Sequence, residues 1–307
     1  MQIEVLLTEN ELSAQFLSAF EARFLPEKFF YWFPLSVKAW LALCQDGAYR
    51  NFFRSSGLVS GHSVEIAKLL PQDLEAISIG SGQGNKDILL LSAIQDSGRS
   101  VRYVPVDSSQ ALLEMACREA ISSGIQYQAY KAEATNRSHL ESIVSGRKPH
   151  LFMILGNTLG ALLPVEMCRL LRAISKPGDF LLADGEIYAE DTIVGYDNPL
   201  NRRFAFAPLA SVGIAQQDGS LVFKTKPAED QLGVYYLTKH FQASRDLSLN
   251  IAGSTINIAR SEKMEMSVSG KFSREAFSRM IGEEAGFSPI REFVSRDQRF
   301  LMVLAGA

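Results

Sequence analysis

Apolar residues recur at helical spacing in the first part of the chain. Residues 11–24 carry an apolar side chain at every fourth position, which predicts an amphipathic helix. Further helices are predicted around residues 40–43 and over residues 61–70, where Pro71 ends the pattern. The first 70 residues are therefore expected to be helical and rich in aromatic side chains.

The pattern changes near residue 73, where short apolar runs begin to alternate with helical stretches. Helices are predicted over 86–95 and 110–123, and strands over four segments: 76–79, 101–106, 151–155 and 180–183. The run at 151–155 is apolar at nearly every position, as expected of a strand that is covered on both faces. Alternating strands and helices of this kind predict a parallel, doubly wound sheet.

This rhythm breaks after residue 190. Residues 234–237 and 247–251 alternate between apolar and polar side chains, which indicates antiparallel strands. The last part of the chain predicts a helix over 274–285 and a hairpin of strands over 290–294 and 300–305 that closes the sheet edge. The expected fold class is therefore α/β, a doubly wound Rossmann-like sheet with a second lobe.

Composition excludes several classes of protein. The chain has 307 residues, a net charge of -3 and no run of Lys or Arg, which is unlike a nucleic-acid-binding protein. No apolar run reaches about 18 residues, and the N-terminus does not resemble a signal peptide, so we expect a cytoplasmic protein without a membrane partner. The three cysteines and four histidines are dispersed, which predicts neither disulfides nor a metal site.

A glycine-rich loop follows the first predicted strand of the sheet. Gly80, Gly82 and Gly84 separate strand 76–79 from a helix, and glycines there let the backbone turn tightly and approach a ligand. Asp107 ends the next strand, where a carboxylate can accept the hydrogen bonds of both ribose hydroxyls. Together these residues predict a site for a cofactor that contains adenosine.

The loop favours S-adenosylmethionine over NAD. A dinucleotide fingerprint, GxGxxG, would require glycine where the chain has Asn85. The spacing of the glycines resembles motif I of methyltransferases, although Ser78 stands where that motif usually has an acid. Lys86 offers a cation to the carboxylate of the methionine end, and NAD has no such carboxylate.

Several segments, in order from residue 25 to the C-terminus, resemble motifs of the histidine-specific Nα-methyltransferases of ergothioneine biosynthesis. They are LPEKFFY at 25–31 (family LPPKWFY), Tyr49 with the segments 50–53 and 62–66, SIGSG at 78–82 with Lys86 (DLGSG…K), YVPVD at 103–107 ((Y/F)xPxD), LGNTLG at 155–160 (LGSTIGN), YDN at 196–198 (AYDD) and SGKF at 269–272 (SxKF). The shared order of these motifs is more specific than any one of them.

The resemblance implies two sets of binding residues. Those expected to bind the cofactor are Gly80, Ser81, Gly82, Lys86, Asp107, Ser108, Glu133 and Asn157. Those expected to bind a small-molecule substrate are Tyr31, Tyr49, Ala161, Tyr196, Ser267 and Ser269. No Ser-His-Asp or Cys-His arrangement is evident, and no catalytic residue is assigned.

Two of the substrate positions depart from the family. Ala161 replaces the asparagine that ends LGSTIGN, and Ser267 replaces the glutamate two residues before the SxKF serine. By the resemblance, the asparagine holds the α-amino acid end of histidine and the glutamate orients the imidazole. Loss of such charge-assisted hydrogen bonds costs about 1.5–3 kcal/mol each. We therefore expect histidine to be a poor substrate.

The leading interpretation is a methyltransferase that uses S-adenosylmethionine to N-methylate an amino-acid-like or aromatic amine other than histidine. Three alternatives stay open: a histidine Nα-methyltransferase, a non-catalytic protein that binds S-adenosylmethionine, and an NAD-dependent oxidoreductase. Three parts of the chain are predicted: a helical part of the substrate-covering lobe (1–70), the Rossmann-like cofactor domain (71–189 and 266–307) and an inserted antiparallel part of the substrate lobe (190–265).

Overall fold

The computed structural model describes residues 1–47, 49–144 and 146–307. In this part of the chain the strands are β1 (Ile3–Val5), β2 (Asp73–Ile79), β3 (Ser100–Asp107), β4 (Ala129–Lys131), β5 (His150–Ile154), β6 (Phe180–Glu186), β7 (Gly219–Pro227), β8 (Val234–Ala243), β9 (Leu247–Ile251), β10 (Ser254–Ile258), β11 (Lys263–Phe272), β12 (Ser288–Val294) and β13 (Phe300–Gly306). The α-helices are α1 (Glu9–Glu21), α2 (Pro34–Gln45), α3 (Arg50–Leu69), α4 (Asn85–Asp96), α5 (Gln110–Ser122), α6 (Arg137–Ile143), α7 (Thr158–Ala161), α8 (Pro164–Ile174), α9 (Pro199–Ser211) and α10 (Arg274–Arg279).

The largest sheet has the strand order β1-β4-β3-β2-β5-β6-β13-β12. The strands from β1 to β6 pair in parallel, whereas β13 runs antiparallel to both β6 and β12. From β2 the chain first extends the sheet through β3 and β4, and then returns to add β5 on the other side. The crevice between β2 and β5 is therefore the topological switch point, where ligands bind in open α/β sheets.

Side chains on the central strands explain why this sheet lies in the middle of the molecule. Six of the seven residues of β2 and all five of β5 are buried, as expected of parallel strands that are covered by helices on both faces. The terminal strands β12 and β13 form the predicted hairpin at the sheet edge. The predicted doubly wound, Rossmann-like sheet is confirmed.

A second lobe is built on an antiparallel sheet in the order β11-β8-β7, with a separate hairpin of β9 and β10. Its hydrophobic core joins two distant parts of the sequence. Phe16 and Phe20 of α1 and Phe29 share this core with Phe204 of α9 and Phe241 of β8. The antiparallel strands expected at 234–237 and 247–251 are both present, and the first extends to residue 243.

Two elements of residues 1–70 pack on the large sheet. β1 pairs in parallel with β4 and so becomes an edge strand of that sheet. Helix α3 begins at Arg50, eleven residues before the predicted start, and its Val59 and Ile66 share a core with Leu90 of α4. The core of the second lobe contains residues between 7 and 43 of this segment, whereas residues between 58 and 70 pack with the large sheet. The division into domains stays a prediction.

The helix predicted over 274–285 changes its winding along its length. It is α-helical to Arg279 and continues as one π turn over Met280–Glu284. Among the described residues, no helix combines the length and apolar character needed to cross a bilayer.

Candidate active site

A cleft of about 630 Å³ opens at the carboxyl ends of β2, β3 and β5, where the two lobes meet. Thirteen of the fourteen residues expected to bind cofactor or substrate line it: Tyr31, Tyr49, Gly80, Ser81, Gly82, Lys86, Asp107, Ser108, Glu133, Asn157, Ala161, Tyr196 and Ser269. Ser267 does not. The site thus combines segments that are up to 238 residues apart in the sequence.

The glycine loop between β2 and α4 adopts conformations that favour glycine. Gly80, Gly82 and Gly84 have φ angles of 67°, 56° and 78°. A Cβ on Gly80 would lie 2.7 Å from Cγ2 of Thr158, and a Cβ on Gly84 would lie 3.0 Å from Ala116. The loop therefore depends on glycine both for its backbone angles and for its close packing.

Asp107 lies beside this loop at the end of β3. Its carboxylate accepts hydrogen bonds from the backbone N–H of Gly82 at 2.9 Å and of Ser109 at 2.8 Å. Burial raises the pKa of Asp107, and the backbone hydrogen bonds only partly oppose this effect. These bonds fix the carboxylate next to the loop, where it can accept further hydrogen bonds from a diol.

Lys86 extends from the first turn of α4 towards the loop after β5. A Cβ on Gly156 would lie 2.3 Å from Nζ of Lys86, so the lysine passes directly over this glycine. Lys86 lines the cleft, and Nζ lies 5.5 Å from the ring centre of Phe52. This ammonium is the cation that the sequence predicted for a ligand carboxylate.

Asn157 is fixed by hydrogen bonds to neighbouring residues of the protein. Its backbone N–H donates to Asp184 at 2.8 Å, and its side-chain oxygen accepts the N–H of Glu186 at 2.9 Å. Its side-chain nitrogen donates to Oγ of Ser269 at 3.2 Å. Burial raises the pKa of Asp184, which lies within this network. Asn157 therefore shapes the loop after β5 and joins it to β6 and β11.

Glu133 is already paired across the two lobes. Lys28 donates to both of its carboxylate oxygens at 2.7 Å. Lys28 comes from the second lobe and Glu133 follows β4 of the large sheet, and both residues line the cleft. A pair in this position couples the arrangement of the lobes to the cofactor side of the site.

Aromatic rings from three parts of the chain wall the other end of the cleft. Trp40 lies 5.2 Å from the ring of Tyr31 and 5.7 Å from that of Tyr49, measured between ring centres. Tyr49 in turn lies 6.5 Å from Tyr196 in an edge-to-face arrangement. The three tyrosines expected to bind the substrate therefore surround one space. Burial raises the pKa of all three, so they are neutral hydroxyls at physiological pH.

A buried polar network supports Tyr196. Its hydroxyl donates to Oε2 of Glu186 at 2.6 Å, and Nζ of Lys271 donates to the same hydroxyl at 2.6 Å. Lys271 also contacts Oγ of Ser269 at 2.9 Å and Oε2 of Glu186 at 3.0 Å. Asn51 donates to both Glu186 and Tyr196. These bonds fix the position of Tyr196, whose side chain lines the cleft.

The two positions that depart from the family lie in different places. Ala161, at the end of α7, lines the cleft with a methyl group. Ser267 of β11 is fully buried, is absent from the lining, and its hydroxyl has no hydrogen-bond partner among the described residues. A serine side chain extends only one atom beyond Cβ, so the Ser267 hydroxyl does not reach the surface of the cleft. The expectation that Ser267 contacts the substrate is therefore not supported by its position.

Sequence reasoning missed three charged residues of the cleft: Glu27, Lys28 and Lys239. Two of them, Glu27 and Lys239, carried a signal in the sequence. Glu27 occupies the position of the second proline in LPPKWFY, and Lys239 stands between Leu237 and Phe241 on the inward face of β8. A lysine in an apolar alternation indicates either a paired structural charge or a binding site.

Comparison with known proteins agrees with this geometry. Residues 10–199 and 235–307 match the model of a family described as histidine-specific, S-adenosylmethionine-dependent methyltransferases. The histidine N-alpha-methyltransferase of Mycobacterium tuberculosis is 31% identical over 150 residues. That alignment covers 46% of this chain and 45% of the mycobacterial protein, so the chain spans less than half of that relative's length.

Other similarities extend further along the chain at lower identity. The N-methyltransferase dtpB of Aspergillus flavus is 22% identical over 287 residues, which cover 85% of this chain and 78% of the fungal protein. A solved S-adenosylmethionine-dependent methyltransferase from Clostridium acetobutylicum is 11% identical and covers 82% of this chain and 90% of its own, with a TM-score of 0.45.

Proposed function

Because the chain belongs to the histidine-specific, S-adenosylmethionine-dependent methyltransferase family, we propose that it is a methyltransferase of small molecules and that it N-methylates an amino-acid-like or aromatic amine other than histidine. The observation that carries this proposal is Ala161, which presents a methyl group to the cleft where the family has an asparagine. A methyl group cannot hydrogen-bond to the amino-acid end of histidine.

The residues around the glycine loop fit the cofactor. Gly80 and Gly82 have positive φ angles and line the cleft, which would let the backbone approach the ligand. Asp107 would accept hydrogen bonds from the ribose hydroxyls, and Lys86 would pair with the methionine carboxylate. S-adenosylmethionine supplies a methyl group that its sulfonium centre has already activated. The protein therefore has to position the acceptor nitrogen, exclude water and accept a proton.

The aromatic end of the cleft supports an acceptor with a flat ring. Tyr31, Trp40 and Tyr49 present ring faces and edges to one space, and such rings also stabilise a methylated cation. Tyr196 is held at this end of the cleft by its hydrogen bonds with Glu186 and Lys271, so its ring forms a fixed part of the wall. The similarity to the N-methyltransferase dtpB supports nitrogen as the methylated atom.

A histidine Nα-methyltransferase is the second candidate. The 31% identity to the mycobacterial enzyme favours it, as does the presence of Tyr31, Tyr49 and Tyr196 in one cleft. In this case the cleft would have to hold the amino acid through groups other than residue 161. The two candidates differ in the rate that they predict for histidine.

The test is a methyl-transfer assay that compares histidine with aromatic amino acids and their amines. We expect kcat/KM for histidine well below about 10⁴ M⁻¹s⁻¹, the low end of ordinary enzyme efficiency, and a higher value for at least one other amine. Ala161→Asn together with Ser267→Glu should raise kcat/KM for histidine. Ala161→Ser serves as the control, since it adds polarity without an amide. Efficient methylation of histidine by the unmodified protein would establish the second candidate instead.

A further inference from the structure

Lys239 is a buried cation on the wall of the cleft. It lies in the middle of β8, its residue is 3% exposed, and it lines the cavity. Its Nζ makes no hydrogen bond within the described part of the chain, although it lies 5.3 Å from the ring centre of Phe30 and 5.9 Å from that of Phe204. Ring faces attract the charge but leave three N–H donors without acceptors.

Glu27 is the nearest acid, and it is incompletely bonded as well. Its Oε1 lies 4.0 Å from Nζ of Lys239 and 3.4 Å from the hydroxyl of Tyr31. Its Oε2 is buried and has no hydrogen-bond partner among the described residues. The cleft therefore contains one cation and one anion side by side, each with free hydrogen-bonding capacity.

A purely structural ion pair would have a different geometry. Burying two charges is costly, and their attraction compensates only when the geometry is good and additional hydrogen bonds satisfy both groups. Nearby Lys271 shows that standard: its Nζ lies within 3.0 Å of Tyr196, Ser269 and Glu186. Lys239 and Glu27 face the cleft without such bonds, which is the arrangement of a site that a ligand completes.

We propose that Lys239 binds a carboxylate of the methyl acceptor and that Glu27 accepts an N–H of the same molecule. This inference rests on the proposed function and narrows it, because it selects an amino acid over a plain aromatic amine. A ligand carboxylate bound in the cleft next to Lys239 would accept hydrogen bonds from the free ammonium donors. An N–H at Glu27 would satisfy Oε2, which has no partner among the described residues, so the ammonium and the carboxylate would both be fully bonded only in the complex.

The experiment measures binding to protein saturated with S-adenosylhomocysteine. Calorimetric titrations compare L-tryptophan and L-phenylalanine with L-tryptophanamide and L-phenylalaninamide, which keep the ring and the amine but replace the carboxylate. We expect each acid to bind at least about tenfold more tightly than its amide, as for one charged hydrogen bond. Lys239→Met should abolish that preference, since methionine preserves the packing on Phe30 and Phe204 without a charge.

Matched variants separate this role from a structural one. Lys263→Met removes an exposed lysine from the neighbouring strand β11 and should leave the preference unchanged. Lys239→Arg keeps the charge and should retain part of the preference, even if Lys239→Met folds poorly. Binding of S-adenosylhomocysteine by each variant reports that the fold is intact.

Two results would overturn the inference: acids that bind the unmodified protein no better than their amides, or a preference that survives Lys239→Met. Both are distinct from failure of the proposed function. If histidine proves to be the best acceptor and still requires Lys239, then the proposed substrate is wrong whereas the assignment of Lys239 stands.

Discussion

At the scale of single residues, Asp87 joins the helix that follows the glycine loop to strand β3. It lies in the first turn of α4, is 2% exposed, and accepts a hydrogen bond from the hydroxyl of Tyr103. Burial raises its pKa to about 6, and this effect outweighs the hydrogen bonds from Tyr103 and Ser78, which lower the pKa. The folded protein therefore retains a proton here at a pH where the unfolded chain has lost it.

This difference predicts a pH-dependent stability. Between the pKa of an unfolded aspartate, about 4, and about 6, the folded state binds more protons, so the free energy of unfolding falls as pH rises. The total loss is about 3 kcal/mol and is complete above about pH 6. Asp87→Asn should remove this contribution, because its amide oxygen can still accept the bond from Tyr103.

The measurement is urea unfolding of both proteins at pH 4.5 and pH 7.5. Relative to the unmodified protein, Asp87→Asn should be more stable at pH 7.5 than at pH 4.5. Asp96→Asn, at the exposed end of the same helix, is the control and should give no such difference. An equal effect of Asp87→Asn at both pH values would show that Asp87 is charged throughout.

Membership of the site could be predicted from the sequence for residues whose position depends only on the path of the backbone. Gly80 follows β2 and Asp107 ends β3, so the pairing of these two parallel strands brings them together without detailed knowledge of packing. Ser267 was different, because whether its side chain reaches the cleft depends on its length and on the depth of β11 behind the wall. Lys239 and Glu27 come from distant segments, and only the packing of the second lobe brings them within 4.0 Å.

At the scale of elements, Lys271 joins the two sheets. It belongs to β11 of the small sheet, whereas Glu186 ends β6 of the large one, and their charged atoms lie 3.0 Å apart. Lys271 is fully buried and Glu186 is 5% exposed. Removing the cation leaves a buried carboxylate that only the neutral donors of Tyr196 and Asn51 stabilise.

Lys271→Met should therefore lower the free energy of unfolding by about 3–5 kcal/mol, as for a buried pair that loses one partner. The double variant Lys271→Met with Glu186→Met should recover much of this loss, because it replaces the pair by apolar side chains. Denaturant unfolding of both variants, with Lys263→Met as an exposed control on the same strand, measures the effect. A loss below about 1 kcal/mol would mean that Glu186 is protonated or solvated without Lys271.

Helices and strands could be predicted where the pattern of apolar residues within the element itself is strong. Strands such as β2 and β5 were evident because nearly all of their residues are buried and most of them are apolar. The start of α3 and the pairing of β1 were not evident. Only seven of the twenty residues of α3 are buried, and the positions between them include serine, arginine and glycine, so the apolar pattern of its first half is weak. The three-residue β1 gains its strand conformation only by pairing with β4.

At the scale of the whole molecule, the site exists only where the lobes meet. The residues proposed to bind the cofactor follow strands of the large sheet, whereas Tyr31, Tyr49 and Lys239, which are proposed to contact the acceptor, pack against the core of the second lobe. The ion pair between Lys28 and Glu133 bridges the two sides at 2.7 Å. A ligand that fills the cleft should therefore stabilise the folded protein as a unit.

The last prediction concerns this stabilisation and the identity of the cofactor. S-adenosylhomocysteine at about 100 times its dissociation constant should add about 2.7 kcal/mol to the free energy of unfolding, which corresponds to about 5 °C in Tm for a protein of this size. NAD at the same concentration should give no shift, because it lacks the carboxylate that Lys86 would bind and finds Asn85 where its fingerprint needs glycine.

Asp107→Ala should weaken binding of S-adenosylhomocysteine by about 1.5–3 kcal/mol and so remove most of the shift, since the ribose loses a charged acceptor. Asp73→Ala, at the opposite end of β2, is the matched control and should keep the full shift. A thermal scan in which Asp107→Ala responds like the unmodified protein would show that the ribose lies elsewhere in the cleft, and a shift with NAD alone would contradict the cofactor assignment.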